Sequence, residues 1–310
     1  MSKRLVYVDQ NVVGLLVERK LHLPRLPEAC WVYSKEHFAE IRRSSDPKPY
    51  LSALEDINAK LLDLELNPQW KISGTAKLIE HGSTIQHYSS YLEATRGYES
   101  YQNIFDPFLA WVNGGSDEGP FRDLPVTLAE NVLDLTKGLP TQPDFIGGLN
   151  TISTGFAGVI EEMLKKGNDI TKTRKAFGAG KGAIGSISGQ NQLQKIWEII
   201  APACPGTSLD QFFGFDPIDK QGYDEWPVYL GIIGCCAVMD ILGFQAEKKC
   251  RKLEKMPNVR SDANHIATGA FCSAILSQDK RLIARARAIY EYKGVATVPL
   301  FVGVGEDVGT

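Results

Sequence analysis

The sequence predicts an α/β fold in which a parallel sheet is covered by helices on both faces. Three observations carry this expectation. Apolar, β-branched runs near the N-terminus, RLVYV (4–8) and ACWVY (29–33), are each followed by a helical pattern. Near the C-terminus SDANHIATGAF, CSAILSQD, KRLIARARAIYEYKG and VATVPLFV read as helix, strand, helix and strand. The 43% hydrophobic and 23% charged content is that of an ordinary folded chain.

Each element has a local cause. LVYVDQNVVGLLVE reads as strand then helix, and ACWVYSKEHFAEIRRSS repeats that grammar with Ser34 as a capping residue. Ser261 is placed as the N-cap of the third such helix, with Asp262 its first residue, and Gly294 ends the fourth. The long middle reads as mostly helical, through YLSALEDINAKLLDLEL, TLAENVLDLTKGL, GFAGVIEEMLKKG and NQLQKIWEIIAP to a long helix from Trp226 to about Lys255. PQWKISGTAKLIE is the exception, one strand or two. The glycine-rich piece 176–189 lacks the glycine spacing and the hydroxyl after Gly-Lys that a phosphate loop requires, and is expected to be a mobile loop.

Composition narrows the function classes. MSKRLVYVDQ has only a short apolar run and does not resemble a signal peptide, and the most apolar stretch, Tyr229 to Met239, is too short to span a bilayer. A cytoplasmic protein with no membrane association is expected. The six cysteines form no C-x-x-C pair and no cluster with histidine, which argues against a zinc site or a disulfide framework. The net charge of −3 is unevenly spread: residues 47–246 hold 15 basic and 24 acidic residues, the remainder 19 and 13. The expected organisation is a discontinuous domain of residues 1–46 and 247–302, an insertion of 47–246 that partly completes its core, and a flexible tail at 303–310.

Ligands of parallel α/β sheets bind beyond the carboxyl ends of the strands. Asp9 ends the first strand and Asp279 the AILSQD strand, while Asp262, opening a helix that precedes a parallel strand, is expected at the same rim. Glu36 and Glu40 share one face of the second helix, and geometry alone does not choose between them. Each acid has a plainer role available: a helix cap for Asp279, a dipole partner for Asp262, a solvated face for the glutamates. Together they point elsewhere, because carboxylates this close cannot all ionise without a cation. Oxygen ligands without cysteine or histidine suit a hard ion, Mg2+ or Mn2+. Such an ion polarises a phosphoryl oxygen and lowers the pKa of bound water, as phosphodiester hydrolysis requires.

YVDQNVV, VYSKEHFAEI, SDANHIATGA and ILSQDKRL, in that order, resemble the PIN-domain superfamily of metal-dependent nucleases, which includes the VapC-type toxin ribonucleases. The resemblance covers about residues 1–45 and 255–301. It implies a sheet of about four to five parallel strands with a large helical insertion. It selects Glu40 over Glu36, and it implies Asp9, Glu40, Asp262 and Asp279 as catalytic, metal-holding residues. Asn11, at the small polar position two after the first aspartate, and Ser277, in the Ser-x-Asp signature, are expected beside them as substrate-binding residues. Gln10 replaces the hydroxyl residue usual after the first aspartate, and about 200 residues separate the second and third acids where compact members have a few helices.

The basic residues fit a polyanion. Lys248, Lys249, Arg251, Lys252, Lys255 and Arg260 lead up to Asp262, and Lys280, Arg281, Arg285 and Arg287 follow Asp279. Arg260 and Lys280, adjacent to proposed ligands, are the strongest candidates for substrate contact. His265, one turn from Asp262, either touches substrate or serves as a hydrogen-bonded structural histidine. The expected activity is an endoribonuclease using a metal-activated water, with toxin or phage-defence roles compatible. The rivals are a structure-specific DNA nuclease and a non-catalytic PIN-like assembly protein. An antitoxin-like protein or a second copy is a further conceivable partner, which no segment of the sequence identifies.

Overall fold

A computed structural model of the chain describes residues 3–96, 103–138, 143–180, 182–246 and 250–303. β1 (Arg4–Val8) leads to α1 (Gln10–Val17), β2 (Ala29–Tyr33) to α2 (Lys35–Ile41) and α3 (Lys48–Asp56), and β3 (Lys60–Leu66) to β4 (Ile72–Ile79) and α4 (Thr84–Ala94). Helices fill the middle: α5 (Asp106–Val112), α6 (Gly119–Arg122), α7 (Leu124–Leu135), α8 (Pro143–Lys166), α9 (Ile170–Ala176), α10 (Gln192–Ile200), α11 (Leu209–Phe212) and α12 (Val228–Leu242). α13 (Met256–Gly269), β5 (Ala274–Ser277), α14 (Lys280–Lys293) and β6 (Val298–Phe301) complete the order.

The strands form one six-stranded sheet, β4-β3-β2-β1-β5-β6. β1 pairs in parallel with β2 and β5, β2 with β3 and β5 with β6, whereas β4 runs antiparallel to β3. Strand alternation sends Tyr7, Val32 and Leu62 into a core beneath α10, α12, α13 and α14, and Val8, Trp31, Tyr33 and Leu61 into a second core beneath α1, α2, α3 and α4. Both faces are therefore covered, as the strand–helix alternation requires.

Several elements differ from the sequence reading. The sheet has six strands, one antiparallel, instead of four or five parallel ones. YLSALEDINAKLLDLEL is not one helix: α3 stops at Asp56, Asn58 turns the chain at φ 53°, and Lys60–Leu66 becomes β3. Its leucines have helix propensity, but Leu61 and Leu62 each bury on an opposite face of the sheet, and tertiary burial decides. The long helix ends at Leu242, well short of Lys255, because Gly243 takes the left-handed conformation (φ 85°) that closes a helix. Lys248 and Lys249 lie outside the described residues, as do 304–310 of the tail. The glycine-rich piece is anchored by Ala179 and Ile184, both buried in the first core, and Lys181 within it lies outside the described residues.

Much of 47–246 thus builds the sheet and its covering layers. Trp111, Phe121, Leu124 and Ile160 form a separate apolar cluster that ties α5 to α8. Among the described residues no helix is long and apolar enough to cross a membrane.

Close packing of α12 depends on Gly231, where a Cβ would lie 2.8 Å from Phe215 Cδ1 and 3.2 Å from its Cα. Gly231→Ala is expected to lower the melting midpoint: overpacking costs about 1–3 kcal/mol, and the helix-propensity gain of about 1 kcal/mol offsets only part of it. A thermal melt checks this, and a midpoint equal to or above wild type contradicts it.

Candidate active site

The two central strand ends are stitched together by side chains. Asp9 follows β1 and caps α1, accepting from the Gln10 N–H at 2.7 Å, Asn11 Nδ2 at 2.6 Å and Ser277 Oγ at 2.6 Å. Ser277 ends β5 beside it, and its Oγ also accepts from Asn11 Nδ2 at 3.1 Å and from the Asp279 N–H at 2.9 Å. Asn11 Oδ1 accepts the Gln278 N–H at 2.8 Å. Asn11 and Ser277 therefore fix the first acid between two parallel strands.

Asp262 arrives differently from the expectation. α13 begins at Met256, with Pro257 in its first turn where proline is favoured, so Asp262 lies in the second turn and Ser261 caps nothing. Ser261 Oγ instead donates to Glu36 Oε1 on α2. The helical period gives α13 three working stripes. Ser261 and His265 face α2, Asn258 and Asp262 face a cavity of about 470 Å³, and Arg260, Asn264 and Thr268 face another of about 440 Å³. The first cavity collects Asp9, Glu40 and Asp262 from three distant segments, with Gln10, Arg43 and Tyr50.

The cavity's electrostatics centre on His265, 1% exposed. Its Nδ1 lies 2.8 Å from the Tyr7 hydroxyl, which is 2.7 Å from Ser34 Oγ, and its Nε2 lies 3.3 Å from Glu40 Oε2 and 3.5 Å from Asp9 Oδ1. Burial would lower the imidazole's pKa, but Asp9, Glu40 and Glu36 together push it up to about 10. It is therefore a buried cation at neutral pH. Burial, joined by that cation, brings His37 down to about 3. The neutral His37 ring donates from Nε2 to the Val8 carbonyl at 2.6 Å and accepts the Ser34 N–H at Nδ1.

The acids respond unequally. Burial raises Asp9 against the opposing pull of His265 and Ser277. Burial would raise Glu40 too, but the hydrogen bond and charge of His265, with Arg43, hold its carboxyl below its ordinary range. Asp262 is pushed up to about 8 by burial and by its like-charged neighbours Asp9 and Asp279.

The other expected residues separate. Asp279 caps α14, accepting the Arg281 N–H at 2.7 Å and the Leu282 N–H at 3.3 Å; it acts on Asp262 by charge but does not line the cavity of the other three acids. Glu36 faces the second cavity, where Asn264 Nδ2 donates to it at 2.7 Å. Arg260 faces that cavity too and pairs with Asp106 at 2.5 Å. Lys280 is exposed, its Nζ 5.2 Å from the centre of the Phe301 ring. Arg285 is not a surface guide for a polyanion, since it is 3% exposed and paired with Asp240. Sequence reasoning missed Tyr7, Arg43, Tyr50 and Asn258. Only Arg43 carried a readable signal, three residues after Glu40 on one helix.

The donor set suits a hard divalent cation. Three carboxylates meet in one cavity, one of them, Asp262, driven toward its protonated form by burial and by the charges of Asp9 and Asp279, and Gln10 Oε1 is buried there without a hydrogen-bond partner among the described residues. The side chains are not gathered around a point: among the described residues no three histidine, cysteine, aspartate or glutamate side chains form a ready ligand sphere. Asp9, Glu40 and Asp262 are the carboxylates of this cavity, and His265 is the positive charge already beside the first two. Comparison with family models, with curated proteins and with solved structures finds no match to this chain.

Proposed function

We propose that the protein is a divalent-cation-dependent nuclease that hydrolyses RNA phosphodiester bonds, with Mg2+ or Mn2+ held by Asp9, Glu40 and Asp262. One observation carries this reading: three acids remote in sequence line one cavity at the carboxyl ends of parallel strands. When bound, the cation supplies charge stabilisation at the phosphoryl oxygens and a lowered pKa for the attacking water. The chain's own residues position the reaction. Asn11 and Ser277 lock the Asp9 carboxylate, Tyr7 and Ser34 orient His265, and Arg43, paired with Glu40 at 3.6 Å, brings a positive charge to the cavity wall.

A second reading, a non-catalytic PIN-like protein, is favoured by His265 itself, because an internal cation already balances Asp9 and Glu40. Total RNA incubated with manganese and with wild type, Asp9→Asn or Asp262→Asn separates the two. Cutting by wild type alone, with both variants folded, supports the nuclease. Cutting retained by either variant removes that residue from the chemistry, and no cutting by wild type favours the second reading.

A further inference from the structure

The 440 Å³ cavity on the other side of the α2–α13 contact is a formed pocket with no part in the acid site. Its walls mix apolar and aromatic side chains, Leu62, Leu64 and Ile72 from the β3–β4 hairpin and Tyr229 from α12, with the Lys35–Asp63 ion pair. Its polar centre is Glu36. Tyr229 Oη donates to Asn264 Oδ1 at 3.1 Å, Asn264 Nδ2 donates to Glu36 Oε2 at 2.7 Å, and Ser261 Oγ donates to Oε1. That chain fixes the carboxylate's orientation while each oxygen keeps a lone pair, so the pocket presents two adjacent acceptors and no competing donor from Glu36.

We propose that this cavity is a base pocket that selects guanine in a single-stranded RNA, the strand running on to the acid cavity. The proposal rests on the reading of the acid cavity as a nuclease site. Unstacked RNA bases are held by aromatic faces and by hydrogen bonds to their Watson–Crick edges. Guanine offers two adjacent N–H donors, N1–H and the N2 amino group, which match a carboxylate oxygen for oxygen. Adenine and cytosine each set one amino donor beside an acceptor, and uracil sets one imino donor between two acceptors, so each would bring a lone pair against Glu36. The spacing fits a strand: Glu36 and Glu40 are four residues apart on α2, ~6 Å along the axis, comparable with one nucleotide step. Lys35 and Arg260, which also line the pocket, are each held by an acid, Lys35 by Asp63 at 2.7 Å and Arg260 by Asp106 at 2.5 Å, so the rim is polar and close to neutral. Between the pocket residues Leu66 and Ile72, the hairpin turn holds Trp70 84% exposed at φ 60°, a left-handed conformation unusual for tryptophan. An exposed indole at the turn of the hairpin that lines the pocket is a face on which a base can stack.

The test is binding of GMP, AMP, CMP and UMP, each titrated calorimetrically into the full chain in EDTA. GMP is expected to bind at least about 10-fold more tightly than the others, and Glu36→Gln to weaken GMP about 10-fold or more by setting an amide donor against a base donor. Leu64→Trp, which adds bulk to the cavity from the strand wall, is expected to abolish GMP binding with the fold retained. Equal binding of all four, or GMP selection unchanged in folded Glu36→Gln, overturns the pocket. So does preferential binding of arginine ethyl ester, which would make the occupant a basic protein side chain. Asp262→Asn separates this pocket from its parent reading, because GMP selection should survive in that variant whether or not RNA cutting does.

Discussion

Asp262→Asn is expected to cut RNA at about one-hundredth of the wild-type rate or less, because under the proposed nuclease reading it removes one of the carboxylates that would hold the cation stabilising the developing phosphoryl charge. The same variant is expected to melt no lower than wild type at pH 8 in EDTA. Burial and the charges of Asp9 and Asp279 raise the Asp262 carboxyl to about 8 in the folded chain, whereas an unfolded aspartate titrates near about 3.9. Over the interval between these values the folded state holds a proton that the unfolded state has released, so stability falls as pH rises from about 4 toward 8. Asparagine cannot ionise and removes that loss. His265, raised to about 10, acts in the same direction: its contribution is complete below its unfolded value near 6.5 and is lost as pH rises toward 10. A variant that loses both cleavage and folding would point to a structural aspartate. Retained folding with lost cleavage would mark a functional one.

The largest expected stability loss lies behind the acid cavity. Asp240 of α12 and Arg285 of α14 form a buried pair, with side chains 3% and 4% exposed, in which both terminal guanidinium nitrogens donate to the carboxylate. Burial would lower the arginine's pKa, but Asp240 outweighs it and keeps the group charged. Arg285→Ala or Asp240→Ala alone leaves an uncompensated charge in the core and is expected to cost about 3–5 kcal/mol, a large share of a domain's total stability. The double variant Arg285→Met with Asp240→Leu replaces the pair by apolar volume and is expected to recover most of that loss. Urea unfolding of the three variants checks this. Single variants within about 1 kcal/mol of wild type would contradict a pair that matters to folding.

Much of the parallel α/β scheme was legible because it rests on short-range patterns. RLVYV after its leading Arg4 and ACWVY are apolar runs, Ser34 does cap α2, and Gly294 does end α14 at φ 65°. KLLDLEL was not legible as a strand, since its leucines satisfy both periods and only the sheet beside it decides. The acids at strand ends, Asp9 and Asp279, could be placed by topology alone, but their fates could not: both cap helices, and only Asp9 lines the cavity. Asp262 reached the rim from the second turn of its helix because Pro257 started α13 earlier than Ser261 would have. The His265–Tyr7 and Asp240–Arg285 pairs join residues remote in sequence, 258 and 45 positions apart, and neither follows from local spacing.

The choice between Glu36 and Glu40 shows what one helical turn can separate. Both lie on α2 and both bond to α13, yet Glu40 meets His265 beside the acid cavity and Glu36 meets Ser261 and Asn264 beside the other. Two carboxylates four residues apart thus serve two sites, a division set by the three stripes of α13.

Adding manganese to the metal-free protein and following its melting midpoint is the most direct probe of whether Asp9, Glu40 and Asp262 share a cation. Millimolar manganese should raise the wild-type midpoint, by about 2.7 kcal/mol of stabilisation when the ion is at 100 times its dissociation constant, and the rise should vanish in Asp9→Asn and Asp262→Asn. A wild-type midpoint unmoved by manganese, or one that rises equally in all three proteins, would mean that the three carboxylates and His265 are a self-balanced ion cluster with no metal to hold.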